Sequence, residues 1–77
     1  MTVAFVFINT EPGAIEGVLA SLKKIPVVEE AYSLYGVYDV IAEIEAKDIK
    51  VLREIFDKIR RLRGVSSAVT FITIEGF

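Results

Sequence analysis

An α+β fold of order βαββαβ, with four antiparallel strands in one sheet and two helices on one of its faces, is what this sequence predicts. Three observations predict it. Apolar residues alternate in four stretches and recur at i, i+3, i+4, i+7 in two others. Cap and breaker residues, Thr10, Pro26, Asp48 and Gly64, fall between those stretches. Aromatic and β-branched residues flank Gly36 in Tyr32-Ser33-Leu34-Tyr35-Gly36-Val37-Tyr38-Asp39-Val40, which reads as two strands joined by a tight turn on a glycine free to take positive φ.

The first strand is read over Thr2–Ile8, where both alternating sets, Val3/Phe5/Phe7 and Ala4/Val6/Ile8, are apolar, so both of its faces are covered. Thr10 offers an N-cap oxygen, with Glu11 and Pro12 in the first turn of a helix running to about Lys24. Ile15, Val18, Leu19, Leu22 and Ile25 make its buried stripe; Lys23 and Lys24 suit its C-terminal dipole, and Pro26 ends it. The second strand, Val27–Tyr35, divides into a Val28/Glu30/Tyr32/Leu34 face and a Val27/Glu29/Ala31/Ser33/Tyr35 face. The third, Asp39–Ala46, sets Val40, Ala42 and Ile44 against Ile41, Glu43 and Glu45. Asp48 caps a second helix with Ile49, Leu52, Ile55, Phe56, Ile59 and Leu62 inward, and Gly64 ends it in the left-handed conformation. Val65–Glu75 is the last strand, substantially apolar on both sides.

Two β–α–β units with right-handed crossovers, joined by the central hairpin, give the ferredoxin-like arrangement. Its second sheet face is then bare and apolar, which predicts a sheet-to-sheet dimer. Size points the same way. A domain of 77 residues buries only about 60 % of its unfolded surface, and with no cysteine or histidine neither a disulfide nor the usual zinc or iron ligands can staple it. The 53 % hydrophobic composition exceeds that of an average domain and needs a partner face. A net charge of −2 argues against a dedicated nucleic-acid binder. The longest uninterrupted apolar run, Val3–Ile8, is far shorter than a membrane span, and no basic leader precedes it, so no membrane partner and a cytoplasmic location are expected.

Candidate chemistry is sparse. Glu43 and Glu45 share a strand face, the minimum for an acid/base pair, but nothing nearby completes a mechanism and a solvated strand face explains them better. Lys58, Arg60, Arg61 and Arg63 form a basic run that the helix dipole and neighbouring Glu54 and Asp57 account for. The hairpin stands out. Tyr35, Tyr38 and Asp39 crowd one turn, either resting an apolar or flat group there or closing a core edge, with Asp39 bonded to its own turn.

The run from Val28 to Val40, with Leu52 and Phe56 on the second helix, Leu62-Arg63-Gly64-Val65 and a threonine-bearing last strand, resembles the effector-binding half of the Lrp/AsnC transcription regulators, the RAM domain. The resemblance covers essentially the whole chain, and Gly36-Val37-Tyr38-Asp39 is similar to the family's Gly-x-Tyr/Phe-Asp turn. It implies a non-enzymatic, cofactor-free amino-acid sensor whose sheet-to-sheet dimers assemble into rings such as octamers and bind free amino acids where dimers meet. It further implies ligand contacts at Gly36 and Asp39, at Tyr35, Val37 and Tyr38 beside them, and at Thr70 on the last strand. Family members carry a helix-turn-helix domain ahead of this one, whereas Met1 here lies directly before the first strand. The expectation is a single stand-alone RAM domain over residues 1–77, with no direct DNA binding and with full-length regulators as further partners. The architecture also resembles small cofactor-free monooxygenases, which leaves a dimeric enzyme as the alternative, and an assembly partner without any ligand as a third reading.

Overall fold

The computed structural model describes residues 1–74. The elements run β1 (Thr2–Thr10), α1 (Ile15–Lys23), β2 (Val28–Ser33), β3 (Val40–Ala46), α2 (Ile49–Arg60) and β4 (Val65–Ile72). One four-stranded sheet has the order β2-β3-β1-β4, and every neighbouring pair is antiparallel. The two doubly apolar strands are thus neighbours. This is the ferredoxin-like arrangement.

Of the two apolar sets in β1, Ala4, Val6 and Ile8 face the helices and are fully buried. They meet Val40, Ala42, Ile44 and Ala46 of β3 and, from above, Val18 and Leu22 of α1, Ile25, and Leu52 and Ile59 of α2. No polar or charged residue is buried as a whole among the described residues, so the core is a hydrophobic one. Val3, Phe5 and Phe7 take the other face, which no element among the described residues covers.

The capping signals divide. Asp48 caps α2 as expected, its Oδ1 accepting from the Val51 N–H at 2.9 Å, and Gly64 has φ +93°. Gly64 is also demanded sterically, since an added Cβ would lie 2.8 Å from the Ala14 Cβ and 3.3 Å from a Val18 methyl. Thr10 is not the cap of α1. It ends β1, and α1 begins later, after a turn through Glu11–Gly13 with Gly13 at φ +78°; its N-cap position is Ala14, with no side-chain cap. Thr10 instead stays in the strand, paired with Val65, where its N–H and hydroxyl both donate to the Asp39 carboxylate.

Three other expectations change. Gly36 does not have positive φ, because the hairpin is not tight: residues 34–39 form an open loop between Ser33 and Val40, closed by the Leu34 N–H donating to the Asp39 carbonyl at 2.8 Å. A bulge in β2 shifts register between Val28 and Glu30. Val28 therefore opposes Ile44 on the core side, while Glu30 and Tyr32 oppose Glu43 and Ile41 on the bare side, which separates residues that strict alternation puts together. Lastly, β4 stops at Ile72, after which the Thr73 N–H and hydroxyl both donate to the Val3 carbonyl; Glu75, its expected end, lies outside the described residues. Among those residues no helix is long and apolar enough to cross a membrane.

Candidate functional site

The loop 34–39 sits at the end of β1, tied there because the Asp39 N–H donates to the Ile8 carbonyl at 2.9 Å. Asp39 is its anchor. Its Oδ2 accepts from the Thr10 N–H at 2.8 Å and from the Thr10 hydroxyl at 3.2 Å, while Oδ1 accepts from nothing among the described residues. The carboxylate thus closes a contact with β1 rather than its own turn, and half of it remains available. Thr10 as its partner gave no signal in the sequence, being 29 residues away.

The rest of the loop faces outward. Tyr35 is fully exposed and Val37 is 85 % exposed, an arrangement that a monomer in water gains nothing from. Among the described residues, the backbone N–H groups of Tyr35, Gly36, Val37 and Tyr38 have no acceptor within the chain. An added Cβ at Gly36 meets nothing within 4 Å, so neither sterics nor strain within the chain requires glycine there. Tyr38 alone turns inward, its ring 5.3 Å from that of Phe7.

That contact joins the loop to the bare sheet face. Phe7 in turn meets Phe71 edge-on at 5.7 Å, and Phe71 is 60 % and Tyr32 56 % exposed. The apolar half of the face lies over β1 and β4, whereas Glu43 and Glu45 lie on β3, with Glu30 of β2 opposite Glu43. Glu30 raises the Tyr32 phenol above its ordinary pKa, by hydrogen bonding first and by charge second, with burial and Glu43 adding less. No group of three metal-ligating side chains occurs among the described residues.

Thr70 is not part of the loop cluster. It pairs in register with Val6, in the middle of the sheet, on the side facing α2. There it lines a recess of about 170 Å³ with Ile49, Leu52, Arg53, Phe56 and Ile72. Ile49, expected in the buried stripe, is 54 % exposed because it stands at this recess rather than over the core. A second hollow, of about 460 Å³, lies between α1 and the Arg63-Gly64 join, a consequence of the small residues Gly13, Ala14, Gly17 and Ser21.

The family model of the Lrp/AsnC ligand binding domain matches residues 3–77. The HTH-type transcriptional regulator FL11 of Pyrococcus furiosus is 29 % identical over 72 residues, 94 % of this chain and 48 % of the regulator. A homocitrate synthase of Sulfurisphaera tokodaii is 39 % identical over 54 residues, 70 % of this chain but 12 % of the enzyme. The chain therefore spans about half of one of these curated relatives and a small part of the other. The crystal structure of TTHA0845 from Thermus thermophilus matches with a TM-score of 0.95 at 28 % identity, over 100 % of this chain and 98 % of that one.

Proposed function

This chain belongs to the Lrp/AsnC ligand-binding domain family, and from that membership we propose that residues 1–77 act as one non-enzymatic unit that senses a free amino acid and oligomerises. The observation that carries the reading is the loop 34–39. It offers unpaired N–H groups from Tyr35 to Tyr38 beside a carboxylate with one oxygen uncommitted. An α-carboxylate needs the first and an α-ammonium the second. Gly36 leaves the backbone open to close approach, and the exposed Tyr35 and Val37 supply apolar cover.

Thr70 and the loop lie at different parts of the same chain, so a site that includes both is made by two copies. The bare face with Phe5, Phe7, Val69 and Phe71 favours a sheet-to-sheet dimer, since apolar surface of that kind is driven out of water. Dimers then meet through their loops in a larger ring such as an octamer, with full-length Lrp/AsnC regulators as further partners in regulating transcription.

The test is a thermal-shift screen of the twenty amino acids with mass measurement in solution. Saturable stabilisation by one or a few of them, in an oligomer, is expected. Stabilisation by none, or turnover of the bound compound, would refute the reading.

A further inference from the structure

Thr70 carries the observation that the loop does not explain: its hydroxyl is buried and finds no partner among the described residues. It lines the recess between α2 and β4, whose walls are Ile49, Leu52, Phe56 and Ile72 and whose exposed edge is Arg53. No lining side chain is an acid. Arg53 forms no ion pair among the described residues, where the one pair joins Arg60 to Asp57. The recess thus combines apolar walls, one buried hydroxyl donor without a partner and, at its exposed edge, a cation in no ion pair among the described residues. Its volume of about 170 Å³ is far more than a single water needs.

We propose that this recess receives an acidic side chain on a short aliphatic stem, so that the effector is a dicarboxylic amino acid of the glutamate type. The proposal rests on the reading that the loop of one copy holds the α-carboxylate and ammonium, with the recess supplied by a second copy. The ligand's methylenes lie against Ile49, Leu52, Phe56 and Ile72. Its terminal carboxylate accepts from the Thr70 hydroxyl and from the Arg53 guanidinium, giving the orphan hydroxyl a partner and the guanidinium a counter-charge.

Competing side chains fail for stated reasons. A lysine ammonium would stand beside Arg53 with like charge. A leucine side chain would fill the walls yet leave the buried Thr70 hydroxyl without a partner. Specificity of this kind, built on polar groups left unmet by the wrong ligand, is stronger than specificity built on size alone.

The experiment titrates the full chain with L-glutamate, L-leucine and L-lysine at neutral pH, by calorimetry and thermal shift, in the parent, Arg53→Met and Thr70→Val. Glutamate is expected to bind at least about tenfold more tightly than leucine, with lysine silent. Loss of one charge-assisted bond in Arg53→Met should weaken glutamate by about ten- to a hundredfold. Arg53 is exposed, so that variant folds; Thr70→Val keeps the side-chain shape, should melt no lower than the parent without ligand, and should also weaken glutamate. Leucine or lysine binding as tightly as glutamate, or an unchanged glutamate affinity in Arg53→Met, overturns the proposal. If another amino acid binds and glutamate does not, the recess is misassigned while the loop reading stands. Silence of all twenty in the thermal-shift screen removes both.

Discussion

Replacing Asp39 by Asn separates the two tasks that its carboxylate combines. In the parent, Oδ2 accepts from the Thr10 N–H at 2.8 Å and the Thr10 hydroxyl at 3.2 Å, and a bond to a charged acceptor contributes about 1.5–3 kcal/mol against about 0.5–1.5 for a neutral one. The Asn amide oxygen keeps the acceptor and loses the charge. Asp39→Asn should therefore cost about 1 kcal/mol, a fall in Tm of roughly 4–8 °C for a domain of this size. Asp39→Ala removes the acceptor altogether and should cost about 1.5–3 kcal/mol. Ligand binding responds differently. At a hundred times the parent's Kd, an effector adds about 2.7 kcal/mol per site, or roughly 11–22 °C of Tm. Without a charged acceptor for its ammonium, the effector should bind about ten- to a hundredfold more weakly. The same concentration then adds only about 0.4–1.4 kcal/mol. Scanning calorimetry with and without the effector measures both quantities. An Asn variant with the parent's ligand-induced shift would mean that Asp39 serves Thr10 alone.

Glycine positions give a matched pair. Gly64→Ala must hold positive φ, costing about 1–2 kcal/mol, and must displace Ala14 and Val18, about 1–3 more, whereas Gly17→Ala, exposed in α1 with nothing near its added Cβ, should stabilise by up to about 1 kcal/mol; urea denaturation that ranks the two the other way refutes the geometry. Phe71→Asp puts a charge on the bare sheet face, where burial in an assembly costs several kcal/mol. Light scattering should follow a shift from oligomer towards the 8.6 kDa chain, and a parent already monomeric and folded at micromolar concentration would remove the dimer. For DNA, the expectation is no site-specific duplex binding at physiological salt, because a reader needs phosphate contacts and a groove-entering element; a preferred site with a steep salt slope in a gel-shift assay is the contrary result.

Much of the fold is local and therefore legible in the residues. Six elements in βαββαβ order follow from periodicity, because a period of two or 3.6 is a property of consecutive residues. The Asp48 cap and the left-handed Gly64 follow for the same reason, each acting within a few positions of itself. The hairpin residues that crowd together at Tyr35–Asp39 are likewise legible, since a turn collects its own neighbours. What the residues alone leave open is decided between distant segments. Both faces of β1 are apolar, and only the docking of α1 and α2 selects Ala4, Val6 and Ile8, leaving Phe5 and Phe7 for the bare side. Thr10 carries a cap residue's side chain, yet Asp39 claims it from 29 residues away, and α1 starts without a cap. A single bulge in β2 turns Val28 inward and Glu30 outward. Thr70, expected as a ligand contact from the last strand, is set opposite Val6 and facing α2 by the β1–β4 register, because a strand's position in a sheet is set by its partner rather than by its own residues.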